Sequence, residues 1–208
     1  ALAMDGETVI SGAYLADAKG VNSGAAYVYE VEDGGWSETT KLVPTDGTAD
    51  DLFGAYNSIS LRNSIATIGS FRSDAKGVNS GAAYVFLRSG TQWSEHTRLT
   101  AMDGQAGDRF GIATSTDGRG VLVGAFFHDH VGANSGAAYA FQILHENGEP
   151  CDSGTQCVGD YCADGVCCDT LCGGACEACS VPAGAPANGA CALLDPTRVC
   201  RTAAGACD

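Results

Sequence analysis

Short apolar runs separated by turn residues fill the first 144 residues of the chain. Residues 65–71 form an apolar run that ends in Gly and Ser, and residues 81–87 are almost continuously apolar, as in a strand covered on both faces. Residues 92–100 place Trp and Leu among polar residues, which is typical of an outer strand, and residues 52–61 alternate weakly. No window has the period of an amphipathic helix, so the pattern predicts an all-β fold.

One phrase occurs three times and gives the period of these strands. Asn-Ser-Gly-Ala-Ala-Tyr stands at residues 22–27, 79–84 and 134–139, with offsets of 57 and 55 residues. A period of this length indicates a repeated supersecondary unit that buries its apolar faces by stacking on its neighbours. Other pairs recur in the same register, namely Asp46-Gly47 with Asp103-Gly104, Phe53-Gly54 with Phe110-Gly111, and Trp36 with Trp93.

Each repeat is predicted to hold four strands, which is the make-up of a β-propeller blade. Gly-containing turns at residues 33–35 and 89–90 predict hairpins between the last two strands. The first repeat is expected to begin at its second strand and the third to end after its third strand, which gives sheets of three, four and three strands. Because propellers typically need about four to eight blades, the sequence predicts a partial β-propeller of four-stranded antiparallel blades from a longer protein.

The recurring aromatic and glycine residues are interpreted as structural. Phe53 and Phe110 are predicted to be buried at equivalent contacts between blades, where Gly54 and Gly111 permit close backbone approach. The Asp that precedes each Phe by two positions, Asp51 or Asp108, is interpreted as fixing a turn or as bonding backbone N–H groups of the neighbouring blade. The two Trp residues are interpreted as packing residues of outer strands rather than as platforms for sugars.

The order of these motifs resembles a known family. The succession Asp-Gly-x3-Asp-x-Phe-Gly, Val-Gly-Ala, Asn-Ser-Gly-Ala-Ala-Tyr-Val-Phe and Trp-x5-Leu resembles bacterial FG-GAP repeat proteins, whose blades are similar to those of integrin α-chain propellers. The resemblance covers residues 1 to about 144, and we assign residues 1–146 to this domain. It implies a propeller of about seven blades in the complete protein and a binding role outside the cell or at its surface.

Members of this family often carry calcium in blade loops, and this sequence departs from that pattern. The connection between the first and second strands is residues 62–64 in one blade and 116–120 in another, with too few carboxylates for the roughly six to eight oxygens that calcium takes. The loop between the second and third strands offers one carboxylate and one amide, which are either weak calcium ligands or residues that fix the turn. These weak candidates are Asp17 and Asn22, Asp74 and Asn79, and Asp129 and Asn134.

His128 and His130 flank Asp129 in the third of these loops. Two His side chains are able to bind a transition metal, whereas the other blades carry Ala or Ser at both positions. Substitution at a variable loop tip is the alternative interpretation. No nucleophile-elbow motif is present and none of the His residues has a repeated partner, so no catalytic residue is assigned and the chain is predicted not to be an enzyme.

All 11 Cys residues lie within residues 147–208, which we assign to a small, loop-dominated second domain. Apolar residues are scarce there, so cross-links are expected to replace a core. Zinc is the competing interpretation, but only Cys176 and Cys179 have Cys-x2-Cys spacing, and no His follows His145. Disulfides are therefore predicted, with Cys207 as the odd residue. The ten predicted disulfide cysteines are Cys151, Cys157, Cys162, Cys167, Cys168, Cys172, Cys176, Cys179, Cys191 and Cys200.

Two segments of this region resemble known modules. The segment from Cys162 to Cys179 is similar to Cys-rich modules in exported proteins of myxobacteria and related deltaproteobacteria. The segment from Cys200 to Asp208 is similar to the opening of a disintegrin-like Cys pattern. Because disulfides persist in oxidising compartments, the protein is predicted to be extracellular or at the cell surface.

The net charge of −14 is spread over both regions and indicates a well-solvated surface. It argues against nucleic acid, whose backbone needs a basic face, and no apolar run of about 20 residues predicts a membrane span. The first hypothesis is an exported, non-catalytic binding or adhesion protein whose propeller face contacts a protein or a surface carbohydrate. The alternatives are an accessory portion of a larger secreted enzyme and a structural surface stalk.

Overall fold

The computed structural model describes residues 1–129, 131–151, 154, 157–172, 177–183 and 185–193. The secondary-structure elements among them are all β-strands, which confirms the all-β prediction. The chain divides into two compact units, Ala1–Gln142 and Ile143–Asp208, which we call the repeat unit and the Cys-rich unit. None of the described residues belongs to a helix that is long and apolar enough to cross a membrane.

The first sheet of the repeat unit has four antiparallel strands in sequential order. They are β1 (Leu2–Asp5), β2 (Thr8–Ala13), β3 (Ala25–Glu32) and β4 (Gly35–Leu42). The prediction of three strands here is wrong, because β1 pairs with β2 from Leu2 opposite Ser11 to Asp5 opposite Thr8. No Phe-Gly pair marks this strand in the given sequence, as one does in the two later repeats, so β1 could not be predicted from that motif.

The second and third sheets have the predicted four and three strands, in the orders β5-β6-β7-β8 and β11-β10-β9. Their strands are β5 (Ile59–Arg62), β6 (Ile65–Ser70), β7 (Ala82–Ser89), β8 (Gln92–Leu99), β9 (Phe110–Thr116), β10 (Gly120–Ala125) and β11 (Ala137–Gln142). Strand β5 does not begin at Leu52 as predicted, because Leu52, Gly54 and Tyr56 have φ values of 55°, 78° and 50°. Three left-handed residues within five positions interrupt the ladder here. The three sheets are blade-like and form an unclosed propeller.

Equivalent blades share irregular details as well as strands. The ladder between β3 and β4 shifts register between Val28 and Tyr29, and the ladder between β7 and β8 shifts between Val85 and Phe86. The predicted hairpin turns follow at residues 33–34 and 90–91. A bulge at the same position in both blades belongs to the repeated structure. It also increases the local twist of the strands.

Aromatic residues from one blade fill the space beside its neighbour. Phe53 and Phe110 are both buried, as predicted. The Phe53 ring meets the rings of Tyr84 and Phe86 edge-on at centroid distances of 5.8 and 6.1 Å. Such rings contribute burial of apolar area together with a favourable edge-to-face geometry.

The glycines of the repeat permit the blades to approach each other. A Cβ on Gly12 would overlap the carbonyl oxygen of Gly54, and a Cβ on Gly69 would overlap the carbonyl oxygen of Gly111. The Phe-Gly pairs therefore lie at blade contacts in which the backbones nearly touch.

The two Trp residues differ in their surroundings. Trp93 is partly buried against a core cluster that includes Val28 and Leu42 of the first blade. Trp36 is 51% exposed. The packing interpretation therefore fits Trp93, whereas Trp36 is exposed in this structure.

The described part of the Cys-rich unit contains short two-residue strands and four disulfides. The strands form two antiparallel pairs, β12 (Cys162–Ala163) with β13 (Val166–Cys167) and β14 (Glu177–Ala178) with β15 (Ala192–Leu193). The disulfides are Cys151–Cys162, Cys157–Cys167, Cys168–Cys179 and Cys172–Cys191. The disulfide prediction is confirmed for these eight cysteines, whereas Cys176, Cys200 and Cys207 lie outside the described residues.

Candidate ligand-binding groove

The loops that carry the candidate residues lie at one end of the blades. In an antiparallel sheet of sequential strands, the connection between the second and third strands leaves from the same end as the connection to the next sheet. This loop face carries residues 14–24, 43–58, 71–81 and 100–109, with residues 126–129 and 131–136 of the third blade. The turns between the first and second strands lie at the opposite end.

The Asp and Asn residues of the second-to-third-strand loops are bonded to each other in every blade. An Asp Oδ1 accepts the backbone N–H of the Asn five positions later, at 2.8 Å for Asp17 and Asn22, 2.7 Å for Asp74 and Asn79, and 2.5 Å for Asp129 and Asn134. The three Asn residues have φ values of 53° or 54°, a left-handed conformation that Asn tolerates better than most residues. These contacts account for both residue types through turn geometry. That these loops bind calcium at most weakly stays a prediction, and His130 lies outside the described residues.

The Asp that precedes each Phe by two positions is buried in the loop between blades. Asp51 accepts hydrogen bonds from the Thr48 backbone N–H at 2.7 Å and from the Thr48 hydroxyl at 3.1 Å. Asp108 accepts the backbone N–H of Gln105 at 2.7 Å. Burial raises the pKa of Asp51 above its usual value, and the Thr48 hydrogen bonds oppose that effect. Both residues thus fix a turn within their own loop, which is the first of the two predicted roles.

His128 lies between two carboxylates of the neighbouring loop. It is 3% exposed, its Nδ1 is 2.9 Å from Asp108 Oδ2, and its Nε2 is 3.5 Å from Asp103 Oδ2. The hydrogen bond with Asp108 raises the pKa of His128 and outweighs the opposing effect of burial. The interpretation of His128 as a variable loop tip is therefore wrong. Both ring nitrogens face carboxylates, so the site has the form of an ion pair.

The second blade has a related arrangement in which an arginine is the cation. The Tyr84 hydroxyl donates to Asp46 Oδ1 at 2.8 Å, and Arg98 pairs with the same carboxylate. In the third blade the Tyr139 hydroxyl donates to Asp103 Oδ1 at 2.7 Å, and His128 occupies the cationic role. The loops between blades thus repeat a tyrosine–aspartate pair while the cation changes.

Aromatic rings and one arginine form a continuous row across the loop face. The Tyr14 and Tyr56 rings stack with centroids 6.2 Å apart, and the Tyr56 and Phe71 centroids are 5.6 Å apart. The Arg109 guanidinium carbon lies 5.8 Å from the Phe71 centroid and 4.6 Å from the Phe127 centroid. Arg109 is thus held by cation–π contact with rings from two blades.

A groove of about 430 Å³ opens along the middle of this row. We call it the aromatic groove, and its lining residues are Tyr56, Asn57, Phe71, Arg72, Arg109, Ile112, Ala113, Phe126 and Phe127. Tyr56 is 63% exposed and holds a left-handed φ of 50°, although an aromatic residue pays about 1–3 kcal/mol for such a conformation. An exposed ring held in a strained conformation is typical of a ligand-contacting position.

The aromatic groove concentrates positive charge on an acidic protein. Arg72 and Arg109 line it, and neither forms an ion pair within the described part of the chain. The whole chain carries only 11 basic residues against 25 acidic ones. An anion is repelled by most of this surface and attracted to the groove.

A family model for the FG-GAP repeat matches residues 1–29, 36–86 and 93–141 of the chain. This chain belongs to the FG-GAP repeat family. FG-GAP domains are generally non-catalytic interaction modules, and the three matched segments fall within the repeat unit. A comparison with curated proteins gave no match.

The loops of this FG-GAP chain could be located from the sequence, whereas the aromatic groove could not. Tyr56 and Arg109 belong to different repeats, and neither is a repeated residue, because Ala113 and Leu52 occupy their equivalent positions. One signal was available: the residue after Gly-Ala or Gly-Ser is aromatic in every repeat, as Tyr14, Phe71 and Phe126. That recurrence places one ring per blade at the end of the second strand.

Proposed function

We propose that this chain is part of an exported, non-catalytic binding protein and that the aromatic groove is its ligand-contacting surface. The carrying observation is Arg109, whose guanidinium lies over rings of two blades and forms no ion pair within the described residues. The four disulfides support export, because such bonds persist in oxidising compartments.

The ligand we propose is a protein segment that presents a carboxylate beside an aromatic or aliphatic side chain. A guanidinium held by stacking has its N–H edge free to bond a carboxylate at two points, and little side-chain entropy is lost because the rings already fix it. The exposed rings of Tyr56 and Phe126 offer apolar contact on either side. Arg72 adds a second positive charge at the same groove.

A library of displayed random peptides tests this proposal. Selection on the intact chain is expected to enrich peptides in which Asp or Glu neighbours an aromatic or aliphatic residue. Arg109→Gln is expected to weaken the enriched peptides at least about tenfold, because a charge-assisted hydrogen bond contributes roughly 1.5–3 kcal/mol. Fluorescence anisotropy with labelled peptides gives both affinities.

The matched control is Arg119→Gln, which removes an exposed arginine from the turn at the opposite end of the third blade. It is expected to leave peptide affinity unchanged. Enriched peptides without carboxylates, or equal binding to the Arg109→Gln variant, would reject the proposed site. Binding to glycans rich in uronic acids, with no peptide enriched, would reject a protein ligand.

A further inference from the structure

The outer edge of the third sheet differs from the outer edges of the first two. Strand β4 pairs along the outer edge of β3, and β8 pairs along that of β7. Strand β11 is the last strand of the third sheet, and no strand among the described residues pairs with its outer edge. The chain after β11 enters the Cys-rich unit, where the His145 carbonyl accepts the Val158 N–H at 3.0 Å. We call this unpaired side of β11 the β11 edge.

Every second residue of β11 directs its backbone N–H and C=O groups to the β11 edge, because neighbouring residues of an antiparallel strand bond to opposite sides. The second sheet shows which residues these are. Its Arg88 N–H bonds inward to the Ser64 carbonyl at 2.9 Å, and the third-blade counterpart of Arg88 is Ile143. The outward groups of β11 therefore belong to its three exposed residues, Ala138, Ala140 and Gln142.

The β11 edge lacks the side chains that usually prevent a strand from pairing with another chain. Charged residues and Pro are the common means of such protection. Strand β4 carries Glu38 and Lys41, and β8 carries Glu95 and Arg98, whereas residues 137–144 contain neither a charged residue nor Pro. The chain as a whole has a net charge of −14. Two copies therefore meet with the least repulsion along an uncharged strand such as β11.

We infer that β11 pairs with the β11 strand of a second copy of this chain, antiparallel and across a twofold axis beside Ala140. Residues directly opposite each other share a face of the sheet, so the axis passes beside a residue rather than between two. The axis beside Ala140 pairs all the outward-directed residues, because Ala138 then lies opposite Gln142 and Ala140 lies opposite itself.

The same register forms two aromatic pairs across the interface. Tyr139 of each copy lies opposite Phe141 of the other, and cross-strand aromatic pairs stabilise antiparallel strands. Both rings already pack against Phe110 of their own chain, with centroids 5.5 and 6.0 Å away, so little side-chain entropy is lost on pairing. This dimer is independent of ligand binding in the aromatic groove, because no residue of β11 lines that groove.

Sedimentation velocity of the whole chain over a series of concentrations tests the inference. The mass is expected to rise from that of one chain to that of two. Ala140→Pro removes an outward N–H from each copy, and Pro is tolerated on an edge strand where that N–H faces solvent. It is expected to weaken the dimer at least about tenfold, because two central hydrogen bonds are lost. Ala140→Val is the matched control, since it keeps the N–H and copies Val28 and Val85 of the other blades. It should dimerise as the unchanged chain does.

Hydrogen exchange of the unchanged chain gives a second measurement that does not depend on the folding of a variant. Amide exchange in residues 137–142 is expected to slow as the concentration rises. Exchange there that is independent of concentration would overturn the inference, and so would a chain that stays monomeric or equal dimerisation of a folded Ala140→Pro chain. A dimer that non-reducing electrophoresis shows to be disulfide-linked would also overturn it.

Discussion

The repeat unit and the Cys-rich unit are stabilised by different interactions. In the repeat unit, rings and glycines of successive blades interlock, and the largest core cluster joins residues from two sheets. Among the described residues of the Cys-rich unit, two buried clusters consist of six cysteines together with Val166. A repeated unit thus forms its core with the neighbouring units, whereas a short segment poor in apolar residues needs disulfide cross-links.

Reduction of the disulfides is the largest perturbation and should separate the two units. Each native disulfide removed from a small domain costs about 2–5 kcal/mol, and four are described here. Treatment with a strong reductant is therefore expected to unfold the Cys-rich unit while the repeat unit keeps its β signal, because the repeats contain no Cys. Hydrogen exchange resolved by peptide gives the measurement. Equal loss of protection in residues 1–142 would contradict independent stabilisation.

Truncation of a buried aromatic side chain at a blade contact should lower the stability of the repeat unit alone. Phe110→Ala is expected to lower the free energy of unfolding by about 3–5 kcal/mol, because it removes a buried side chain from the contact between the second and third blades. Phe126→Ala is the matched control, since this ring is 64% exposed, and it should cost less than about 1 kcal/mol. Urea unfolding followed by tryptophan fluorescence measures both. Similar costs for the two variants would mean that docking of the ring contributes little.

A change of pH should affect the stability of the third blade more than that of the second. The pKa of His128 is raised in the folded chain by Asp108, with smaller contributions from Asp103 and Asp129, and the Tyr139 ring packs beside it. The stabilisation that protonated His128 gives to the folded state is therefore fully present below the unfolded pKa of about 6.5. It is lost as pH rises through the folded pKa. The unfolding midpoint of the repeat unit should fall by a few degrees over that range. His128→Ser, which copies Ser73 of the second blade, should flatten the profile, and an unchanged profile would contradict the ion pair.

Calcium is expected to have the smallest effect. Each second-to-third-strand loop brings one Asp whose Oδ1 already accepts a backbone N–H, so too few oxygens are left for tight binding. Isothermal titration at micromolar calcium should give no binding heat for the intact chain or for Asp74→Ala. Micromolar binding that Asp74→Ala abolishes would show that the loop is a calcium site.

The sequence predicted what repeats and could not predict what occurs once. The strands β6, β7 and β8, the burial of Phe110 and the hairpin turns all follow from motifs that return in register. Strand β1 was not predicted because no Phe-Gly pair marks it in the given sequence. The start of β5 was misplaced because a left-handed loop runs through Leu52, an apolar residue that a strand also favours.

The aromatic groove and the disulfide partners lay beyond sequence reasoning for a different reason. Arg109 meets Phe71 and Phe127 across two blades, and the distance between them depends on how the sheets stack. The spacing of the cysteines permitted many pairings, and the backbone path selects one of them. His128 was misread because its partners, Asp103 and Asp108, precede it by more than a strand length.

The docking of each Phe-Gly pair on the preceding blade has a consequence for how such chains change length. The Phe-Gly segment that packs on one blade belongs to the following repeat. A deletion that ends between these two parts therefore leaves one blade without its packing partner and a Phe-Gly segment without a blade to pack on. Insertion or loss of one whole period, by contrast, keeps every Phe-Gly pair packed against a preceding blade. Duplication of whole gene segments is therefore the route by which this architecture can grow or shrink while it stays foldable, and deletions of a fraction of the period should be selected against.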